Sequence, residues 1–490
     1  MPSPRVETAF VLASCAVTAV LVDLGNYHRL ENGDSLLPVL ISLHRWTPFM
    51  WEQDRFGMLI PLLALPFRDP VLNLLVQRGL FLFSGLCSFP LLARWAFGPR
   101  RWPLPGLAGA ALCLALSPPF LYFGYLGDEP YAPSLVLALA ALIVLEGSGH
   151  RGWRNASAAL LLGLAHWVNG GLFMFLVPAV VLRAAFLWPG SEASARRAAL
   201  VAAGSQIGWL LFGAGVGWAL NRAGIGSRTT TLNLSPVRDW PEGWARLFAN
   251  LRSDLAPHDL LWALLAIAGP GVAALLHRGW RARAKDAVRI CAALLAAGTA
   301  YFLLLGAHSW VKSNGYPGRY VELAIPAVEL GLLGVLAVPL ASVLSGRAIR
   351  GACAVLGVAL AAMGLVRSGP PSMERIRRDL AEVSPVAAEV LNRGCTHMAG
   401  NYWTVWPAVF LANAGLHERG ERHRTIWGVT DRGKPTWKMA RAMPDEQLRI
   451  CTALGDAEAD TWLRTYEYPP LEEAERGERI LVLRARPPPR

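Results

Sequence analysis

The sequence predicts an α-helical polytopic membrane protein with about 11 transmembrane helices and a small C-terminal α/β domain. Of its 490 residues, 53% are hydrophobic and only 17% are charged, and the mean hydropathy is +0.34. Soluble domains usually carry about 25% charged residues, so this chain has too little polar surface for a soluble enzyme. The high hydrophobicity also excludes a disordered chain. Several apolar runs reach about 20 residues, the length that crosses a bilayer core.

The transmembrane helices are predicted from these apolar runs. The stretch 156–188 is longer than one crossing and is interrupted at 166–171, so we interpret it as a hairpin of two short helices. The other spans are expected at 8–25, 72–97, 104–125, 131–147, 198–220, 259–277, 290–306, 321–345 and 351–366.

The distribution of arginine predicts which loops face the cytoplasm. One set of alternate loops is short and rich in arginine, whereas the other set (26–56, 126–130, 221–258 and 307–320) is longer and holds most of the acidic residues. Arginine-rich loops stay in the cytoplasm, which places the N-terminus inside and residues 367–490 outside. We therefore predict a transmembrane domain, 1–366, and a periplasmic or extracellular α/β domain, 367–490. The arginine-rich, lysine-poor composition favours a bacterial cytoplasmic (inner) membrane.

Composition and motifs exclude several functions. The net charge of +12 would favour nucleic-acid binding in a soluble protein, but here it follows membrane orientation, and no nucleic-acid partner is expected. Walker A, GxGxxG, HExxH and CxxC motifs are absent from the sequence, which argues against the enzymes that need them. Ion-driven carriers need ionisable residues within spans. Few such residues are expected here, and they are Glu146, His166, Glu322 and Glu329.

The first predicted outer loop, 26–70, contains two apolar pieces too short to cross a bilayer. Residues 35–46 are apolar on one face and end in Trp46, which predicts a helix lying in the membrane interface. Residues 56–67 are expected to lie flat or to re-enter the membrane. Asp34 precedes the first piece. It could remove a proton from an acceptor hydroxyl as a general base, or it could simply cap the helix that follows.

Two later outer loops carry further candidates. Asp128 and Glu129 lie between the third and fourth spans, where they could bind a divalent cation such as Mg²⁺ or Mn²⁺, position an acceptor, act as a second base, or cap a helix. The last outer loop brings His308, Lys312 and Arg319 to the head of a span. These cations could hold a lipid-linked phosphate or merely bind the headgroups of membrane lipids.

The tail, 367–490, is polar and of mixed pattern. Residues 372–391 predict a helix and 479–484 a strand. Cys395 and Cys451, the cysteines outside the spans, are either a disulfide, as in exported domains, or two buried thiols. The aromatic residues Tyr402, Trp403 and Trp406 could contact a sugar or acceptor, or they could pack in a core.

This pattern resembles the GT-C superfamily of membrane glycosyltransferases. The resemblance rests on Asp34 in a first outer loop with surface helices, on the acid pair Asp128-Glu129, and on Arg319-Tyr320 before a late span. The exported C-terminal domain also fits. Asp34 is followed by Ser35 rather than by a second acid, which leaves Asp23 and Asp54 as alternative bases.

The resemblance implies a polyprenyl-phosphate-linked sugar as donor, because nucleotide sugars are absent outside the cytoplasmic membrane. Asp34 would then deprotonate the acceptor, and the hydroxyl would attack the anomeric carbon with inversion. Arg319 and Lys312 would stabilise the leaving phosphate, while Asp128 and Glu129 would position the acceptor or a metal. The acceptor could be a glycan, a lipid or a protein. The alternative is a lipid-linked glycan flippase or transporter, or a non-catalytic envelope assembly protein, which needs no base at Asp34.

Overall fold

The computed structural model describes residues 4–25, 31–51, 56–99, 101–116, 130–146, 151–187, 193–220, 234–255, 278–431, 444 and 447–486. The chain forms two compact units. The first, here called the helical unit, comprises Met1–Val22, Gly79–Gly224 and Thr230–Gly369. The second, here called the mixed unit, is built mainly from Asp23–Arg78 and Pro370–Arg490.

Helices form most of the described chain. Up to residue 255 they are α1 Pro4–Asp23, α2 Gly33–Leu43, α3 Leu59–Ala64, α4 Pro70–Phe97, α5 Pro103–Leu116, α6 Tyr131–Glu146, α7 Arg151–Val168, α8 Phe173–Leu187, α9 Ala193–Leu220 and α10 Trp240–Leu255. The later ones are α11 Arg278–Gly306, α12 Ser309–Ser313, α13 Ile325–Val343, α14 Gly346–Ser368, α15 Met373–Val383, α16 Ala387–Asn392, α17 Tyr402–Glu418 and α18 Glu458–Thr465.

The apolar helices agree with a multi-pass membrane protein. In the described part of the chain, four helices are long and apolar enough to cross a membrane: Val6–Asp23, Pro70–Phe97, Lys285–Gly306 and Gly346–Val366. A bent pair, α7 and α8, qualifies jointly as one more. The predicted span 259–277 lies outside the described residues, so the number of crossings stays a prediction.

The bend between α7 and α8 lies where the sequence predicts a break. The two helices meet at 109°, on either side of Asn169 and the 3₁₀ turn Gly170–Leu172. The Asn169 side chain accepts a hydrogen bond from the Gly171 N–H at 3.0 Å. This bond satisfies a backbone donor that the second helix leaves exposed at its start.

Glycine allows two helices of the helical unit to touch closely. A Cβ at Gly357 of α14 would lie 2.8 Å from the Ser14 Oγ of α1, and one at Gly364 would lie 3.0 Å from a Val22 methyl. These glycines are seven residues apart and share one face of α14. Small residues at such a crossing let helices gain van der Waals contact in a membrane.

The mixed unit contains a five-stranded sheet in the order β2-β1-β3-β5-β4, which confirms the small α/β domain. The strands are β1 His397–Ala399, β2 Trp427–Val429, β3 Arg449–Ala453, β4 Leu471–Arg476 and β5 Ile480–Ala485. β1 is parallel to β2 and β3, whereas β5 is antiparallel to β3 and β4. The helix predicted at 372–391 is instead two helices, since Ser384, held extended before Pro385, separates α15 from α16.

Cys395 and Cys451 form a disulfide in the mixed unit, with their Cα atoms 6.0 Å apart. Cys395 lies two residues before β1, and Cys451 lies in the middle of β3. The bond therefore links the segment that enters β1 to the neighbouring parallel strand. The other five cysteines are buried free thiols.

The structure corrects the prediction that the helix at 35–46 lies in the membrane interface. It forms as α2, but Leu36, Leu37, Leu40 and Ile41 are fully buried in the mixed unit. There α2 packs against α17, which is distant in sequence. A short apolar helix has the same residue pattern whether lipid or protein covers it, so its own residues could not show which of the two buries it. The structure accordingly groups 23–78 with the tail rather than with the rest of 1–366.

A buried ion cluster also belongs to the mixed unit. Arg78 of α4 contacts Glu31 through its Nη1, and its Nε lies 3.7 Å from Asp23 Oδ1 at the end of α1. All three side chains are at least 93% buried. The cluster thus joins the first and the last residue of the segment Asp23–Arg78 of the mixed unit.

We predict that Arg78→Met lowers the free energy of unfolding by about 3–5 kcal/mol, because it leaves two buried carboxylates without their guanidinium. The measurement is chemical denaturation of the detergent-solubilised full chain. In Arg78→Met/Glu31→Gln, which removes one of the two charges, part of the loss is regained. Additive losses in the double variant contradict the cluster.

We predict that the folded protein loses stability in acid because the His397 side chain is buried. Burial lowers its pKa to about 4, below the 6.5 of an exposed histidine. Between these values the unfolded chain binds a proton that the folded chain does not, so stability falls as the pH drops through this window. From pH 7 to pH 4.5 the contribution is roughly 2–3 kcal/mol.

The measurement compares unfolding midpoints at the two pH values for the wild type, His397→Gln and the exposed His423→Gln. Burial also lowers the pKa of His44 to about 4, and His44 contributes to the acid shift of all three proteins. We expect a smaller acid shift in His397→Gln alone. An acid shift of the same size in all three contradicts the role of His397.

Candidate functional site

Asp34 lies in the first turn of α2, but it does not cap this helix. Asn32 is the cap, since its side chain accepts the Asp34 N–H at 2.8 Å, while the Ser35 hydroxyl accepts the Asn32 N–H at 2.9 Å. This reciprocal pair is a capping box. The alternative interpretation of Asp34 as the cap is therefore wrong, and its half-buried carboxylate serves other contacts.

The Asp34 carboxylate is held by a residue of the C-terminal tail. The Tyr402 hydroxyl donates a hydrogen bond to Asp34 Oδ1 at 2.8 Å. Gly33 allows this approach, because a Cβ there would lie 2.6 Å from Tyr402 Cε1. Tyr402 begins α17, whose cap is Asn401, with its side chain accepting the Trp403 N–H at 3.0 Å. Two capped helix N-termini thus meet at one carboxylate.

The three aromatic candidates have different environments. Trp403 is 52% exposed and lies edge-on to Tyr402, with 4.9 Å between ring centroids. Trp406 is only 1% exposed and packs against Trp51 at 5.9 Å. The prediction that Trp406 contacts a sugar is therefore wrong. Trp406 lies four residues after Tyr402, on the same inward face of α17.

The alternative bases are also accounted for. Asp23 is buried against Arg78 in the ion cluster and is not placed to reach a bulky acceptor. Asp54 lies outside the described residues. Sequence reasoning missed Arg78 and the role of Glu31, although the available signal was an arginine inside the apolar run of α4, away from its ends.

His308, Lys312 and Arg319 lie around one loop of the helical unit. Lys312 Nζ donates to Asp239 Oδ2 at 2.8 Å, and this bond lowers the pKa of Asp239 and raises that of Lys312. The Arg319 guanidinium lies 5.7 Å from the centre of the Tyr320 ring. Lys312 is therefore held by a carboxylate, and Arg319 lies against an aromatic ring.

His308 differs from these two cations. Burial lowers the pKa of its imidazole, and its Nδ1 accepts the Trp310 N–H at 3.2 Å at the start of α12. Its side chain therefore caps α12, and its binding to a lipid-linked phosphate stays a prediction.

The predicted acid pair Asp128-Glu129 lies outside the described residues. Among the residues that are described, no group of three or more His, Cys, Asp or Glu side chains could hold a metal ion. The structure thus brings together Asp34, Tyr402 and Trp403 in the mixed unit, whereas Lys312 and Arg319 of the helical unit each contact a different partner.

Comparison with known proteins identifies the fold. No family model matches the chain, and no curated protein matches its sequence. ArnT from Cupriavidus metallidurans, crystallised bound to undecaprenyl phosphate, is 13% identical over 98% of both chains, with a TM-score of 0.52.

Two other solved structures have lower scores. The mycobacterial arabinofuranosyltransferase AftD is 14% identical, with a TM-score of 0.43 over 97% of this chain and 40% of AftD. The Archaeoglobus fulgidus oligosaccharyltransferase AglB, in complex with an inhibitory peptide and a dolichol-phosphate, is 12% identical, with a TM-score of 0.35 over 91% of this chain and 69% of AglB. The conclusion on the fold rests on ArnT: the chain has the fold of the GT-C membrane glycosyltransferases, as its resemblance to that superfamily predicts.

Proposed function

We propose that this protein is a membrane glycosyltransferase that moves a sugar from a polyprenyl-phosphate donor to an acceptor hydroxyl on the extracytoplasmic side. The observation that carries the proposal is the fold similarity to ArnT over 98% of both chains, since that structure holds undecaprenyl phosphate. A lipid-linked donor is also what a chain with several apolar helices can take directly from the membrane.

Asp34 is the proposed general base. Its carboxylate accepts the proton of the acceptor hydroxyl while the hydroxyl oxygen forms a bond to the anomeric carbon. The bond from that carbon to the phosphate oxygen breaks, and the lipid phosphate leaves with the electron pair. Attack from the face opposite the leaving group inverts the anomeric centre. A carboxylate has about four acceptor sites, so the bond from Tyr402 leaves capacity for the acceptor.

Lys312 and Arg319 are the proposed partners of the phosphate. The negative charge on the leaving phosphate grows during the reaction, and fixed cations stabilise it most when they need no rearrangement. Lys312 is oriented by Asp239, and Arg319 by the Tyr320 ring. Asp128 and Glu129 stay proposed as the groups that position the acceptor or a divalent cation.

Tyr402 is the proposed positioning residue for the base. Its hydroxyl fixes one carboxylate oxygen, and its ring rests on Gly33 beside the same turn. Fixing the rotamer of a base in advance is a general source of rate enhancement.

The test of the function is sugar transfer by the full chain in proteoliposomes, from a panel of polyprenyl-phosphate sugars. In Asp34→Asn we expect kcat to fall about 10²–10⁴-fold, as is usual when a general base is lost. The matched control is Glu374→Gln, which removes an exposed acid in the first turn of α15. Equal turnover in the wild type and Asp34→Asn removes Asp34 from this role, and lipid translocation without transfer favours a flippase.

Tyr402→Phe should lower kcat about tenfold and leave the donor KM unchanged, because it frees the base without removing the ring that packs on Gly33. Tyr466→Phe is its matched control, since the Tyr466 hydroxyl also donates within the mixed unit, to the Asp431 carbonyl at 3.3 Å. A loss of stability alone, with kcat retained, shows that Tyr402 is only structural.

A further inference from the structure

Trp403 is an exposed aromatic residue in a turn whose other aromatic residues are buried. Tyr402 and Trp406, one turn apart, point into the core at 8% and 1% exposure, whereas Trp403 faces outward at 52%. An aromatic ring left in water forgoes the stabilisation that its burial would give. Tryptophan is enriched at interfaces, where a binding partner covers its ring.

The polar groups at this end of α17 are held in fixed positions. The Asn401 N–H donates to Asp456 Oδ2 at 2.7 Å, and its side-chain amide donates to Glu458 Oε1 at 2.8 Å. Asp456 Oδ1 in turn accepts the Glu458 N–H at 2.9 Å. Planar amide and carboxylate groups thus stand at the start of the helix that exposes Trp403.

The Trp403 ring is joined to the proposed base by two contacts. It lies edge-on to Tyr402, and the Tyr402 hydroxyl donates to Asp34. A molecule that stacks on Trp403 is therefore next to the residue that orients Asp34. An acceptor must reach that carboxylate with a hydroxyl group.

The chemistry of this surface selects among acceptors. A flat indole face suits the C–H face of a sugar ring, and the carboxylate and amide groups suit the hydroxyls at its edge. The carboxylates of Asp456 and Glu458 repel anionic lipid headgroups and phosphorylated or acidic sugars. Contact with the membrane surface is therefore disfavoured.

We infer that Trp403 is the stacking platform for the acceptor, and that the acceptor is a neutral saccharide. This inference rests on the proposed function and adds the substrate class to it. Trp403 binds the penultimate or terminal sugar of the acceptor, while Tyr402 and Asp34 meet its reacting hydroxyl.

The first test is a binding experiment that needs no activity. Saturation-transfer difference NMR is recorded on the full chain in nanodiscs, without glycoside detergent. The probes are methyl glycosides of mannose, galactose and arabinose, with methyl glucuronide and glucose 1-phosphate as anionic counterparts. We expect signals from neutral glycosides in the wild type and in Trp403→Tyr, and at least a fivefold loss in Trp403→Ala. The control is Trp153→Ala, which removes another exposed tryptophan.

The second test is kinetic and uses octyl glycosides of the same sugars as acceptors. Trp403→Ala should raise the acceptor KM about tenfold, since stacking energy is largely uniform binding, and Trp403→Tyr should restore most of it. Unchanged glycoside binding in Trp403→Ala overturns the inference, as does a wild type that binds only the anionic probes. If Trp403→Ala changes only the KM of the lipid-linked donor, Trp403 contacts the membrane rather than the acceptor, and this result also overturns the inference. Binding that depends on Trp403, without transfer from any donor, contradicts the proposed enzyme but not the platform.

Discussion

The hydrogen bond from the Tyr402 hydroxyl to Asp34 connects two helix N-termini that are far apart in the chain. Both helices have their own caps, Asn32 and Asn401, so neither Asp34 nor Tyr402 is needed to satisfy a helix end. Gly33 supplies the space in which the tyrosine ring lies against the α2 backbone. The position of the proposed base therefore depends on the C-terminal tail, although the residue itself belongs to the N-terminal part of the chain.

The surroundings of this bond are rigid because they are buried. The α2 residues that follow Asp34 pack against α17 in one core with Trp51 and Trp406. Before α2 in the chain, the ion cluster of Asp23, Glu31 and Arg78 holds the segment that enters this helix. A buried cluster of this type is costly to break at any single member, so it fixes a conformation even where its net contribution to stability is small.

Patterns within single segments predicted much of the fold. Hydropathy placed helices at 8–25, 72–97, 131–147 and 198–220 close to where they are found. These helices are apolar on all sides, and a continuous apolar run can be recognised from the local sequence alone. The break near Asn169 and the small C-terminal sheet were likewise visible in local sequence. The environment of α2 was not, because lipid and protein cover an apolar helix equally well.

Residue types and their order alone determined a membrane protein with apolar helices, the candidate acid Asp34 and the cations Lys312 and Arg319. Tertiary structure alone decided that Tyr402 holds Asp34, and that Trp403 is exposed while Trp406 is buried. The reason is sequence distance, since these contacts join segments more than 300 residues apart. No local pattern of charge or hydropathy encodes which side chains meet after such segments fold together.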